Sequence, residues 1–124
     1  MATIIIAEDE KIVAKDLENK LKKSGYEILG VVSTGLELLN KVSESAPDLV
    51  LMDIKLDGEM DGIETAMKLR DGYGVPVVYL TAYADKLTLT RINETKPGGY
   101  VLKPFKLTEL RESIEVALGN SSTQ

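Results

Sequence analysis

The chain has 124 residues and a formal net charge of −5, with 44% hydrophobic and 28% charged residues, as in an ordinary globular domain. It contains no cysteine and no histidine. Disulfides, thiol nucleophiles and imidazole chemistry are therefore excluded, and any chemistry has to use carboxylates, hydroxyls, lysines and backbone groups. The acidic balance argues against direct nucleic-acid binding by this domain, and no apolar run approaches the roughly 20 residues of a membrane span. We therefore expect a cytoplasmic protein that does not enter a membrane.

Short β-branched runs alternate with longer segments of helical periodicity. The first half of the chain predicts a strand over Thr3–Ala7, a helix over Lys11–Ser24, a strand over Tyr26–Val32, a helix over Leu36–Ser45 and a strand over Leu49–Met52. Gly25 stands where a glycine commonly follows a helix, and Pro47 stops the second helix. The strand at Leu49–Met52 is continuously apolar, which is typical of a strand covered on both faces.

The second half continues the alternation after a polar loop over Asp57–Gly62, with Asp61 as the N-cap of a third helix. A strand over Val77–Thr81, a helix from about Asp85 to Thr95, a strand over Tyr100–Leu102 and a last helix, N-capped by Thr108 and closed by Gly119, complete the pattern. We expect residues 1–119 to form one domain, and residues 120–124 to form a polar C-terminal tail or the start of a linker.

Five strand–helix units predict an α/β fold with a doubly wound parallel sheet and helices on both faces. The common small architecture of this kind is flavodoxin-like, (βα)5, with strand order 2-1-3-4-5. In that order the winding reverses between strands 1 and 3. A ligand site is therefore expected at the carboxyl ends of those two strands.

Carboxylates gather where strands 1 and 3 end. Glu8, Asp9 and Glu10 follow the first strand, and Asp53 closes the third. Like charges held this close need a cation, and a hard divalent ion with oxygen ligands is the natural one. The cluster therefore predicts a site for Mg²⁺ (or Mn²⁺) with a phosphoryl group as a further ligand. One acid alone would be explained equally well as a favourable charge at a helix N-terminus.

Two polar residues end the neighbouring strands, Thr81 on the fourth and Lys103 after the fifth. A lysine there can balance the acids and bind a phosphoryl oxygen, and a threonine hydroxyl can donate a hydrogen bond to another. An aspartate carboxylate can attack phosphorus and form an acyl phosphate, a transfer that needs mainly positioning and charge neutralisation. Asp53 is the predicted nucleophile.

At this point the sequence resembles the receiver domain of two-component response regulators, over nearly the whole chain. The resemblance rests on Ile4-Ile5-Ile6-Ala7-Glu8-Asp9-Glu10, Asp48-Leu49-Val50-Leu51-Met52-Asp53, Met60-Asp61-Gly62-Ile63-Glu64, Val77-Val78-Tyr79-Leu80-Thr81-Ala82 and Gly99-Tyr100-Val101-Leu102-Lys103-Pro104-Phe105. No single segment is decisive, but five in this order and spacing are highly specific.

The resemblance implies a metal-assisted phosphoacceptor site. Asp53 corresponds to the phosphoacceptor, Asp9 to the direct metal ligand and Glu8 to a ligand acting through water. The backbone carbonyl of Lys55 corresponds to the remaining protein ligand of the metal.

The resemblance also implies a switch. Lys103 corresponds to the phosphate-binding lysine, and its peptide bond to Pro104 is usually cis in the family. Thr81 and Tyr100 correspond to a coupled pair in which the hydroxyl turns toward the phosphoryl group and the aromatic ring follows it inward. That movement would remodel the face formed by helix 4, strand 5 and helix 5.

The chain departs from the family's usual pattern in the loop after Asp53. This loop is one residue longer than is common and carries the additional acids Asp57 and Glu59. Lys55 and Tyr83 occupy the positions that tune dephosphorylation in the family, and a bulky Tyr83 could hinder the attacking water.

Three other functions are compatible with the fold. A phosphatase with an aspartate nucleophile generally has a second aspartate two residues later, where this chain has Lys55. A flavin binder would use aromatic residues and a phosphate loop, but the chain has one Phe, five Tyr and no Trp, and no glycine-rich loop. A receiver-like module that is never phosphorylated is disfavoured by the presence of Asp53, Asp9, Thr81 and Lys103.

The resemblance implies a phosphohistidine as the donor, and since this chain contains no histidine, the donor is expected to be a histidine kinase or a histidine phosphotransfer protein. The output is expected to be a downstream effector or a covalently linked output domain.

Overall fold

The computed structural model describes residues 2–82 and 85–119. Within these residues five strands and five helices alternate along the chain. The strands are β1 (Thr3–Ala7), β2 (Glu27–Val32), β3 (Leu49–Asp53), β4 (Val77–Thr81) and β5 (Gly99–Leu102). The helices are α1 (Lys11–Lys23), α2 (Gly35–Ser45), α3 (Gly62–Gly72), α4 (Lys86–Glu94) and α5 (Leu107–Ala117).

The strands form one parallel sheet in the order β2-β1-β3-β4-β5, which confirms the predicted flavodoxin-like topology. In the register, Ala7 lies opposite Met52 and Asp53 lies opposite Leu80. The carboxyl ends of β1, β3 and β4 therefore meet at one edge of the sheet, as the winding order requires.

Each face of the sheet is covered by its own apolar layer. Successive residues of a strand point to opposite faces, so neighbouring residues of β1 and β3 enter different layers. One layer contains Ile5, Val50 and Met52 packed under α2, α3 and α4, and the other contains Ile4, Ile6, Leu49 and Leu51 packed under α1 and α5. All five residues of β3 are buried, so this strand is the centre of the fold.

The starts of α3 and α5 agree with the predicted N-caps to different degrees. Asp61 caps α3 as predicted, with its side chain accepting from the backbone N–H of Glu64, whose own side chain bonds back to the backbone of Asp61. The predicted N-cap of α5 at Thr108 is wrong. The helix begins at Leu107, because the carboxylate of Glu109 accepts from the backbone N–H of Lys106 at 3.0 Å and holds the first turn there.

β1 and β4 have the predicted bounds, and the other predicted boundaries differ from the structure by no more than one or two residues. No helix among the described residues is long and apolar enough to cross a membrane. Tyr83 and the predicted C-terminal tail, residues 120–124, lie outside the described residues.

Candidate functional site

Asp53 is the last residue of β3, and its side chain is almost completely buried, with 7% of the residue exposed. One carboxylate oxygen, Oδ2, lies 3.1 Å from Nζ of Lys103. The other, Oδ1, accepts a hydrogen bond of 3.1 Å from the backbone N–H of Lys55. Both oxygens are thus oriented by protein donors, and the carboxylate is fixed at the mouth of the sheet.

Glu8 follows β1 and is buried beside Asp53, with 2% of the residue exposed. Its Oε2 accepts from the backbone N–H of Glu10 at 3.2 Å. Its Oε1 has no hydrogen-bond partner among the described residues and lies 3.5 Å from Nζ of Lys103. Burial, and next its contact with Asp53, raise the pKa of Glu8 to about 7.

Lys103 follows β5 and reaches across the end of β4 to both acids. Its backbone N–H donates to the carbonyl of Thr81 at 2.7 Å, and its peptide bond to Pro104 is cis, as the family resemblance implied. Burial alone would lower the pKa of the Lys103 ammonium, but the hydrogen bond and charge of Asp53, with the charge of Glu8, outweigh burial and raise it. The lysine is therefore held charged between two carboxyls.

The carboxyl groups of Glu8, Asp9 and Glu10 form an acidic cluster, with one oxygen of each within 4.8 Å of the others. A cluster of this kind suits a hard cation, because oxygen atoms are the preferred ligands of Mg²⁺. The buried Oε1 of Glu8 supports the same reading, since a buried carboxylate oxygen without a donor is costly unless a cation or proton satisfies it. The donor set present here therefore fits a divalent metal.

The structure places the predicted switch residues at two depths. Thr81, the last residue of β4, is buried, whereas Tyr100 on β5 is 41% exposed. Tyr100 pairs with Tyr79 in the register, and Thr81 pairs with Leu102. The Tyr100 ring thus lies at the surface, and the inward movement that the resemblance implies would start from this position.

The longer loop after Asp53 does not lie free beside the site. The backbone N–H of Asp57 donates to the carbonyl of Ser33 at 3.0 Å, and Asp57 forms an isolated bridge with Thr34. The side chains of Asp57 and Glu59 are exposed. Lys55, whose carbonyl is the predicted metal ligand, is also exposed.

Two contacts near the site were not predicted. The backbone N–H of Gly62 donates to the carbonyl of Ile54 at 2.7 Å, which holds the start of α3 against the carboxyl end of β3. The Arg91 guanidinium on α4 donates to Asp61 at 3.0 Å. The Asp61-Gly62 pair was visible as a helix-capping signal, but nothing in the sequence links position 91 to position 61.

The sequence model of the response regulator receiver domain matches residues 4–115 of this chain, and the chain belongs to that family. It is 35% identical over 115 residues to the transcriptional regulatory protein PdtaR of Mycobacterium tuberculosis, a match that covers 93% of this chain and 56% of that protein. The chain thus spans about half the length of the curated relatives it matches.

Solved structures give the same family. The signal receiver domain of a modulated diguanylate cyclase from Desulfovibrio desulfuricans G20 superposes with a TM-score of 0.89 at 35% identity, covering 96% of this chain and 94% of that one. The N-terminal domain of a response regulator/sensory box/GGDEF 3-domain protein from Carboxydothermus hydrogenoformans superposes with a TM-score of 0.84 at 38% identity, covering 94% of each chain.

Proposed function

We propose that this domain accepts a phosphoryl group on Asp53 and uses the acyl phosphate as a signal. The observation that carries the proposal is the contact of the Asp53 carboxylate with Lys103, at 3.1 Å, beside the buried carboxyl of Glu8. A nucleophilic carboxylate, a cation to bind the incoming phosphoryl oxygens and a further acidic group for a metal are thereby within contact distance of one another.

The metal would be Mg²⁺ or Mn²⁺, held by the carboxylates of Glu8, Asp9 and Asp53 and the backbone carbonyl of Lys55. When bound, it would neutralise charge on the phosphoryl oxygens. The chain's own residues do the rest. The backbone N–H of Lys55 orients Oδ1 of Asp53, and Lys103 orients Oδ2 and offers its charge to the incoming group.

The donor would be the phosphohistidine of a histidine kinase or of a histidine phosphotransfer protein. An oxygen of Asp53 forms a bond to phosphorus while the phosphorus–nitrogen bond breaks, and the bonding electron pair leaves with the imidazole. Hydrolysis later returns the carboxylate and releases inorganic phosphate. Tyr83, at the position that the family resemblance links to dephosphorylation, is the residue that we expect to tune this second step.

The signal would leave the site through Thr81 and Tyr100. A phosphoryl group on Asp53 would add negative charge and acceptor oxygens beside Lys103, and the hydroxyl of the buried Thr81 would turn toward those oxygens. Tyr100 and Leu102 on β5 and Leu87 on α4 are exposed residues of the elements that such a movement would change. A downstream effector or a covalently linked output domain would recognise it.

Phosphorylation with a small donor tests the assignment. The protein is incubated with Mg²⁺ and acetyl phosphate, and its intact mass is followed with time. We expect a gain of one phosphoryl group that hydroxylamine removes, as it does from acyl phosphates. Asp53→Asn should abolish the gain, whereas Asp57→Asn, at an exposed aspartate of the same loop, should retain it. An unlabelled wild type, or a labelled Asp53→Asn, would refute the proposal.

A further inference from the structure

We propose that the ion pair between Arg91 and Asp61 is a positioning link, which connects α4 to the backbone of Asp53 and sets how fast that carboxylate is phosphorylated. The inference rests on the proposed phosphoacceptor function. It concerns two residues outside the phosphoryl and metal sites. The link runs from Asp53 outward to α4 in three steps.

The first step is the contact between α3 and the phosphoacceptor strand. Gly62, the first residue of α3, donates its backbone N–H to the carbonyl of Ile54 at 2.7 Å. A Cβ atom on Gly62 would overlap the carbonyl oxygen of Asp53 and would lie 3.0 Å from Cα of Ile54. The helix therefore begins in direct contact with the backbone of Asp53, and a shift of its first turn moves the carboxylate.

The second step is the double role of the Asp61 carboxylate. Oδ1 accepts from the backbone N–H of Glu64 at 2.8 Å and caps α3. Oδ2 accepts from Nη2 of Arg91 at 3.0 Å. One side chain thus holds the first turn of α3 and, through its second oxygen, the neighbouring helix.

The third step is the weak anchoring of α4. Ile92 is the one residue of the nine-residue helix that is buried. Besides the Asp61 ion pair, a second polar contact ties this helix to α3, in which Nη1 of Arg70 donates to the carbonyl of Glu94 at 2.9 Å. Ile92 and the partly buried Leu89 are the apolar residues that hold α4 on the core layer, so its position also depends on these polar contacts, and the one at Asp61 leads to the phosphoacceptor.

Conservative variants remove the ion pair between Arg91 and Asp61 without unfolding the domain. Asp61→Asn keeps a good N-cap and removes the charge, whereas Arg91→Gln removes the cation. Both side chains of the pair are partly exposed, 42% for Arg91 and 31% for Asp61, so the ion pair adds little to stability and both variants should fold. Arg70→Gln is the matched control, since it removes the other contact between α3 and α4 far from Asp53.

The rate of labelling by acetyl phosphate with Mg²⁺ is measured for these variants, the double variant and Arg91→Lys. We expect Asp61→Asn and Arg91→Gln each to slow labelling about threefold to tenfold, because the carboxylate is less well positioned. The double variant should be no slower than the slower single variant. Arg91→Lys should recover much of the rate, and Arg70→Gln should stay within about twofold of wild type. At about 0.5 M NaCl the wild-type rate should fall toward that of Arg91→Gln, since salt screens the pair.

The outcomes are distinct. Labelling of both single variants at the wild-type rate would overturn the link while leaving the phosphoacceptor function intact. Effects that multiply in the double variant would also overturn it, because they would show two independent roles. A wild type that is not labelled at all would overturn the phosphoacceptor function and the link together.

Discussion

The ammonium of Lys103 and the carboxylate of Asp53 lie 3.1 Å apart, although the two residues are 50 positions apart in the chain. The same ammonium lies 3.5 Å from Glu8. A single cation thus balances two nearly buried acids, and the local charge depends on it.

Lys103→Gln should therefore expose the repulsion between the acids. Without divalent cations we expect the free energy of unfolding to fall by about 1–3 kcal/mol, because two buried carboxyls lose their cationic partner. Mg²⁺ should restore more stability to this variant than it adds to wild type. Urea titrations with and without Mg²⁺ measure both quantities. Lys68→Gln, at an exposed lysine of α3, is the control, and equal losses in the two variants would contradict the prediction.

Glu8→Gln should have the opposite effect on the metal-free protein. The pKa of Glu8 is raised to about 7 by burial, so at pH 8 folding holds an ionised carboxylate in a buried position. The amide carries no charge, and we expect the variant to be about 1–2 kcal/mol more stable at pH 8 without metal. It should also gain much less stability from Mg²⁺ than wild type does.

The difference in unfolding free energy between Glu8→Gln and wild type should depend on pH with a definite sign. A carboxyl with a raised pKa binds more protons in the folded state than in the unfolded state between about pH 4.5 and 7. The Glu8 contribution to stability is therefore lost as the pH rises through this window. The stability advantage of Glu8→Gln should grow between pH 4.5 and 7 and then level off. A constant difference across that range, in urea titrations at several pH values, would contradict the assigned pKa.

Gly62 and Gly72, at the two ends of α3, form a matched pair. Alanine at Gly62 would place its Cβ against the carbonyl oxygen of Asp53, whereas at Gly72 no atom lies within 4 Å of the new carbon. We expect Gly62→Ala to lose about 1–3 kcal/mol of stability and to be labelled more slowly. Gly72→Ala should be neutral or up to about 1 kcal/mol more stable. Thermal melts and acetyl phosphate labelling check both, and similar behaviour of the two variants would rule out the steric explanation.

Tyr26 gives a pH-dependent prediction away from the site. Burial, and next the hydrogen bond of 2.6 Å to Glu115, raise the pKa of its hydroxyl to about 12. The folded state therefore keeps this proton between about pH 10 and 12, where the unfolded state loses it, so the Tyr26 contribution is complete below pH 10 and disappears toward pH 12. Tyr26→Phe should reduce the loss of stability in that range. Some loss should remain, because burial also raises the pKa of Tyr79 to about 12.

The topology and the acids at its centre could be predicted from the sequence because both depend on short-range patterns. The apolar run of β3 and the acids after β1 are each contiguous, and the winding rule alone brings Glu8 and Asp53 together. Asp61 was recognised as a cap because its partner Glu64 is three residues away. These signals are local, and packing did not override them.

The contacts that sequence reasoning missed depend on packing between distant elements. The Arg91–Asp61 pair spans 30 positions and requires that α3 and α4 lie side by side at one particular height. The wrong prediction for the start of α5 has a local cause. Thr108 is a good capping residue, but the Glu109 carboxylate accepts from the backbone N–H of Lys106, two residues before Thr108, so the helix begins earlier. By contrast, Thr34 caps α2, because its side chain accepts from the backbone N–H of Glu37 three residues later. This threonine–glutamate spacing is visible in the sequence.

β3 is the middle strand of the sheet and every one of its residues is buried, so its backbone should be among the slowest to exchange amide hydrogen with solvent. The backbone that leads to Asp53 is therefore expected to be rigid, and the contact with α3 lies at its carboxyl end. A chemical change there cannot be absorbed by the strand that carries it. The response proposed above would therefore be taken up by the outer elements, β5 and the sparsely buried α4, and would run from the centre of the sheet to one edge.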